Sequence, residues 1–463
     1  MSESNGLSTL PANWAWDRAT NVCVKIQDGT HFSPRNQQPV GQYKYVTAKN
    51  IRPWGMDLAE VTFLDEQDHR AIYERCDSKK GDVLLVKDGV NTGDTALNTL
   101  DEEFSLLSSV CMLRPDTRVI EGAFLRYFLQ SPIGYKSLTG QMSGTAIKRI
   151  VLHRIRDLPI PIAPLPEQRR IVAEIETQFT RLDAAVAALE RARANLKRYR
   201  AAVLEEAVAK GSAESSPSGS SIETLGKLAT RSEYGTSVKC SYEATNEPVL
   251  RIPNVARGQI DLSDMKYATR PLALQPESAL GPGDLLMVRT NGSIDLVGRT
   301  AVVVQPMPKL YGFASYLLRL RFDPARVSAA WIHLYLSSPR GREFIERHAA
   351  SSAGQHNVSL SLLGKMPIPL PSIGTQQAIM LEVERRMSIV EDVENSIIAN
   401  LKRAEHLRQT VLRNAFAGQL VPQDPADEPA SVLLDRLRTE RAAAPRRRSR
   451  TVERKRPCQP LLC

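Results

Sequence analysis

Apolar and polar positions follow two rhythms along this chain, and each rhythm occurs twice. From Trp14 to about Ile162 the apolar residues come in short runs, such as YKYVTAKNI from Tyr43 and GDVLLVKDG from Gly81, broken by Gly, Pro and Asn. Short runs bounded by turn residues predict strands. Within this stretch AFLRYFLQSPIGYKSL, Ala123 to Leu138, predicts a helix interrupted near Pro132, because proline cannot donate to the helix ladder.

At Pro164-Leu165-Pro166 the rhythm changes, and from Glu167 the chain runs without Gly or Pro as far as Gly211. Proline at the start and glycine at the end predict one long helix of roughly 65 Å at 1.5 Å per residue. Ile175, Leu182, Leu189, Leu196 and Val203 recur every seventh position, the spacing of a coiled-coil seam, which needs a partner. Val383, Val390, Ile397, Ala404 and Val411, each 208 residues further on, supply it.

That displacement holds without a gap from LPIPIAPLPEQRRIVAEIETQF at Leu158, which returns as MPIPLPSIGTQQAIMLEVERRM at Met366, to VLEEAVA at Val203, which returns as VLRNAFA at Val411. A repeat of this length is a domain plus a connecting element rather than a solenoid unit. The strand-rich part repeats more loosely: Gly29-Thr30 against Gly235-Thr236, Asn50 against Asn254, Gly81-Asp82 against Gly283-Asp284 and Ser131-Pro132 against Ser338-Pro339. GSAESSPSGSS, Gly211 to Ser221, reads as a linker.

The expected fold class is therefore α+β, with two similar strand-rich domains, each followed by a long helix, and the helices paired as an antiparallel coiled coil with pseudo-two-fold symmetry. The boundaries read as 1–163 for the first domain, 164–211 for its helix, 212–221 for the linker, 222–370 for the second domain, 371–420 for its helix and 421–463 for a C-terminal extension. In that extension SVLLDRLRTERAAA predicts an amphipathic helix leading into a basic, disordered tail. The second helix opens with SIGTQQ where the first has PEQRR, so it is expected to start later or to be capped by Thr375.

Charge narrows the partners. The formal net charge is +10, but the stretch from Arg441 to Cys463 holds eight Arg or Lys and one Glu, which leaves the body near +3. Nucleic-acid binding must then rest on local patches or on partner charge. RARANLKRYR, Arg191 to Arg200, is one such patch, read either as a solvated coil face, a phosphate contact or a site for an acidic partner surface. Six cysteines without CxxC spacing suggest free thiols in a reducing compartment. MSESNGLSTL lacks the basic start and apolar centre of a leader, and no apolar run approaches ~20 residues, so a soluble cytoplasmic protein is expected.

Chemistry is sparse. The chain contains no GxxxxGK[ST], HExxH or GxSxG sequence and no Asn-Pro-Pro-aromatic motif, and the glycines of KDGVNTGD read as a turn between strands. What remains is a set of polar loops: QDGTHFSPR from Gln27, SGTAIKRI from Ser143, SEYGTSVKC from Ser232, VRTNGSIDLVGR from Val288 and GQHNVSL from Gly354. Arg and Lys suit guanine, Asn and Gln suit adenine, and hydroxyls and amides suit phosphate, although any such loop can equally be an ordinary surface turn.

The repeated PLPEQRRIVAEIE and PLPSIGTQQAIMLEVE openings, with DGTHFSP, YGTSVKCSYE, PVLRIPNV and RTNGSIDLVGRTAVV, make the chain resemble a specificity subunit of a type I restriction-modification system over nearly its whole length. The resemblance implies a non-catalytic protein whose two recognition domains each read half of an interrupted double-stranded DNA target. Its helices would hold two methyltransferase subunits, with restriction subunits joining them. It implies no cofactor on this chain, S-adenosylmethionine, ATP and Mg entering through partners. Carried onto this sequence, it implies DNA contacts at Asp28, Gly29, Thr30, His31, Lys148 and Arg149. In the second domain these are Tyr234, Gly235, Thr236, Ser237, Lys239, Arg289, Asn291, Arg299 and His356. Helix pairing falls to Ile175, Leu182, Leu189, Leu196, Val203, Val383, Val390, Ile397 and Val411. A free-standing DNA-binding regulator is the alternative, and it would bind DNA tightly without partners. If the helices set the distance between half-sites, four residues inserted in one would add about 6 Å, close to two base pairs.

Overall fold

The computed structural model describes residues 10–443 apart from 33, 35, 141–148, 214–220, 277–278 and 353. The basic stretch beyond Ala443 and most of the linker lie outside these residues. Two compact units emerge, one comprising Met1–Ala187 with Leu401–Cys463 and the other Ala188–Asn400. The division cuts across both long helices, so each unit owns a strand-rich domain, the start of one helix and the end of the other.

In the first unit the main sheet is antiparallel, in the order Cys23–Asp28, Val110–Pro115, Val83–Val86, Thr95–Leu97. The second unit repeats it as Ala229–Tyr234, Leu317–Phe322, Leu285–Val288, Thr300–Val302. The unbroken apolar run VLLV follows from burial on both faces, since successive strand residues point to opposite sides. Val83 and Leu85 join the core shared with the helices, whereas Leu84 and Val86 join a second core. Leu285 and Met287 against Leu286 and Val288 divide in the same way. A two-stranded ribbon closes each domain, Ala15–Arg18 with Pro159–Ile162 and Ser221–Thr224 with Pro367–Leu370, so the chain enters beside the strand from which it leaves into the long helix.

The long helices span Leu165–Ala213 and Ile373–Phe416. Their starts differ by the same 208 residues as the sequence repeat, so the second does not begin late. Its cap is Ser372, whose hydroxyl accepts from Thr375 N at 3.2 Å, rather than Thr375 itself. In each unit the start of one helix packs against the end of the other, which makes the pair antiparallel. Ile171, Ile175 and Phe179 share a core with Val411, Leu412, Ala415 and Phe416 in the first unit, and Val203, Ala207 and Val208 share one with Ile379 and Val383 in the second. Arg408 lies over the Phe179 ring at 4.1 Å and pairs with Asp183. Of the heptad residues, Ile175, Val203, Val383, Val390, Ile397 and Val411 are buried, while Leu182, Leu189 and Leu196 are only half-buried.

The helix Ala430–Ala443 returns to the first unit, inserting Leu433, Leu434 and Leu437 into its core. Arg438 meets Asp17 at 3.0 Å, and Arg441 meets Asp116 at 3.0 Å and donates to the Asn21 carbonyl at 2.7 Å. Arg441, the first residue of the basic stretch, is thus part of the fold. The interruption expected near Pro132 divides the segment into two helices, Gly122–Gln130 and Pro132–Thr139, with Ser131 capping the second through Gly134 N.

Candidate nucleic-acid interface

Each strand-rich domain has a crossing point where a Gly-Thr pair meets the backbone of a neighbouring segment. Thr30 N donates to Leu106 O at 2.8 Å and Thr30 O accepts from Ser108 N at 2.8 Å. Thr236 repeats both bonds with Phe313 O and Ser315 N, each at 2.7 Å. A β-carbon on Gly29 would stand 1.9 Å from Leu106 O, and one on Gly235 would stand 2.1 Å from Phe313 O. Only glycine permits that approach. Asp28 and Thr30 are 4% and 3% exposed and Gly29 is buried, so these three residues are packed into the scaffold at the crossing. Of that loop, His31 reaches the surface, its Nε2 3.2 Å from Asp28 Oδ2.

Asp28 is the first member of a chain of charged groups. Its carboxylate meets Arg75 Nη2 at 2.9 Å and Lys87 Nζ at 3.6 Å. Lys87, itself buried, meets Asp88 at 2.9 Å, and Asp88 meets Arg149 Nε at 2.9 Å. Asp88 and Arg149 face each other across an isolated antiparallel bridge. Lys148 lies outside the described residues.

The second unit builds the same place from different chemistry. Lys87 N donates to Ser109 O and Lys87 O accepts from Ile150 N; Arg289 does the same with Tyr316 O and Val358 N, so Arg289 is the counterpart of Lys87. Tyr234 stands where Asp28 does, and Thr290 pairs with Asn357 where Asp88 pairs with Arg149. The Arg289 guanidinium lies 4.5 Å from the centre of the Tyr234 ring, a cation–π stack. Its Nε donates to Asn357 Oδ1 at 3.3 Å, Thr290 Oγ1 donates to the same oxygen at 2.8 Å, and the Tyr234 hydroxyl accepts from Leu360 N at 3.1 Å.

The predicted residues of the second domain are thus partly gathered. Asn291 and His356 are register partners beside this cluster, and Arg299, exposed, accepts through its carbonyl from Val288 N at 2.8 Å, next to Arg289. Ser237 and Lys239 are exposed on the segment after the Gly-Thr crossing. Arg75, Lys87, Asp88, Thr290 and Asn357 were not singled out from the sequence. Aligning the two copies at Gly-Asp pairs Lys87 with Arg289, although no motif marks Lys87.

The repeated helix openings are structural joints. Gln168 accepts Glu121 N at 2.9 Å and donates to Val119 O at 2.9 Å and Ala163 O at 2.8 Å. Glu167 accepts from Trp14 Nε1 at 3.0 Å and Asn13 Nδ2 at 3.1 Å; burial pushes its carboxyl up, against the pull of those two donors. On the patch at Arg191 to Arg200, Arg193 Nε lies 3.9 Å from Glu394. Among the described residues no group of three or more His, Cys, Asp and Glu could hold a metal ion, and no helix is long and apolar enough to cross a membrane.

Residues 13–193 match the type I restriction modification DNA specificity domain. The chain is 25% identical over 457 residues to the type I restriction enzyme EcoKI specificity subunit of Escherichia coli (strain K12), covering 94% of this chain and 97% of that one. It is 24% identical over 453 residues to the StySPI specificity subunit of Salmonella potsdam, with the same coverage of 94% and 97%. A chain solved in work on the assembly and conformational transition of the type I R-M system shares the fold with a TM-score of 0.70 at 20% identity, over 89% of this chain and 100% of that one. The HsdS subunit from Thermoanaerobacter tengcongensis gives 0.51 at 19%, over 89% and 99%. Over 94% of its length the chain is thus similar to type I restriction-modification specificity subunits, and its residues 13–193 carry the match to their DNA specificity domain.

Proposed function

We propose that this chain is the non-catalytic subunit that chooses the DNA sequence on which a type I restriction-modification complex acts, each recognition domain reading one half of an interrupted double-stranded target. The observation that carries this reading is the contrast between the two copies. The joints between domain and helix keep the same side chain, Gln168 and Gln376, whereas the place at the end of the main sheet holds an ion-paired chain in one unit and a Tyr-Arg-Asn cluster in the other. Equal scaffolds with unequal polar surfaces suit two readers of different half-sites.

In this reading the long helices dock two methyltransferase subunits in the cytoplasm, and restriction subunits join them. S-adenosylmethionine, with ATP and Mg for cleavage, belongs to those partners, and this chain holds no cofactor of its own. The relatives, named as restriction-enzyme subunits, favour this over a free-standing regulator.

Co-expression with the cognate methyltransferase subunit, followed by mapping of methylated bases across the genome, tests the proposal. One interrupted motif is expected. No methylation, a continuous motif, or tight sequence-specific binding by the chain alone would count against it.

A further inference from the structure

The two bridges at the end of the main sheets share a feature that neither the fold nor the family requires. In each, one arginine is held through Nε by an acceptor on the opposite side of the bridge: Arg149 by Asp88 at 2.9 Å, and Arg289 by Asn357 at 3.3 Å. The arginines occupy opposite sides, since Arg289 is the counterpart of Lys87 and Arg149 that of Asn357. Neither guanidinium is interior, the Arg149 side chain being 54% exposed and Arg289 half-buried. Among the described residues, the Arg289 guanidinium hydrogen-bonds through Nε, and the shortest approach of Arg149 to Asp88 is also at Nε.

Anchoring through Nε has a chemical consequence. It fixes the plane of the guanidinium and leaves the Nη1/Nη2 edge, a two-donor fork. That fork matches the two acceptors, O6 and N7, that guanine shows in the major groove. Arg321, by contrast, engages Asp284 through both Nε at 2.7 Å and Nη2 at 2.8 Å. Arg289 is fixed further by the Tyr234 ring, whose hydroxyl is tied to Leu360 N. Fixing the fork before DNA arrives lowers the entropy lost on binding.

We propose that Arg149 and Arg289 are the specificity-determining forks of the two recognition domains, each reading one guanine in its own half-site, with Asp88 and with Asn357 and Tyr234 as their positioning residues. This rests on the proposed DNA-reading function and assigns its bases. Conversion to lysine keeps the charge for phosphate but loses the planar fork, so it separates base reading from backbone attraction.

The test uses the complex of the full chain with its methyltransferase subunits, selected on a randomised duplex library. R289K is expected to lose discrimination for guanine at one position of one half-site, by on the order of 10- to 100-fold, with the other half-site unchanged. R149K is expected to do the same in the opposite half-site. N357A, which frees Nε while leaving the arginine in place, should relax the same position as R289K by a smaller factor. An unchanged motif with both lysine variants, relaxation in both half-sites from one substitution, or a uniform loss of affinity that alanine variants accompany with a shallower salt dependence would each overturn the proposal. A wild-type complex without sequence preference would instead sink the DNA-reading function itself.

Discussion

Gln168 and Gln376, 208 residues apart, make the same three hydrogen bonds. Each accepts one backbone N–H, from Glu121 at 2.9 Å or Ser328 at 2.8 Å. Each donates to two carbonyls, those of Val119 and Ala163 or those of Arg326 and Pro371. Both are fully buried. One side chain thereby ties the start of a long helix to the loop preceding a recognition-domain helix and to the strand that feeds the long helix. Gln168→Ala should destabilise its unit by on the order of 3 kcal/mol, because three buried backbone groups lose their partner. Gln168→Glu should be no better, since a carboxylate cannot donate to the two carbonyls. Urea denaturation would check both, and Gln376→Ala should behave alike.

The glycines divide into two kinds. Gly29→Ala and Gly235→Ala are expected to lower soluble yield and thermal midpoint sharply, by on the order of 4 kcal/mol or more, because the new β-carbon would meet the backbone oxygens of Leu106 and Phe313. Gly81→Ala should cost only about 1–2 kcal/mol, since at φ +90 the position is conformationally strained but spatially open. Equal losses at Gly81 and Gly29 would show that the Gly-Thr crossing is not the close approach described.

His333 sets a pH dependence. Burial, with Arg200 adding to it, depresses the imidazole to about 4, and its Nδ1 lies 2.7 Å from Thr300 Oγ1. The unfolded chain binds this proton near pH 6.5 and the folded one does not, so stability from this group is present above about pH 6.5 and is lost as pH falls toward 4. The loss should be on the order of 2–3 kcal/mol. In His333→Gln the decline between pH 6.5 and 4 should be shallower, as read from thermal midpoints across that range.

Thiol reactivity should follow burial. The Cys23 and Cys76 thiols are pushed up to about 12, chiefly by burial, and burial also raises Cys111 well above the ordinary thiol range. At pH 8 the thiolate of the first two is then only about one part in ten thousand. Among the four described cysteines, iodoacetamide should label the half-buried Cys240 first in the folded protein, as peptide mass spectrometry would show. Early labelling of Cys111 would mean that the main sheet of the first unit opens readily.

Much of the plan is legible in the chain because it follows from local physics. The VLLV and LLMV runs need only two buried faces to be strands, and the heptads from Ile175 and Val383 need only each other to be helices that pair. The interface is less legible. Gly29-Thr30 and Gly235-Thr236 stand out as repeated landmarks because the backbone crossing leaves no room for a β-carbon at either glycine.

By itself the sequence determined the duplication, the alternation of strand-rich domain and long helix, and the 208-residue register, since periodicity and chain punctuation are properties of neighbours along the chain. Only the tertiary structure decided which polar residues are joints and which face outward. Gln168 looks like a surface residue of a helix start until the loop from Val119 to Glu121 closes over it. Lys87 looks like an exposed turn lysine until Asp28 and Asp88 enclose it. Arg149 and Arg289, 140 positions apart and out of register in the repeat, come to equivalent places only because two bridges with the same backbone geometry carry their arginines on opposite sides.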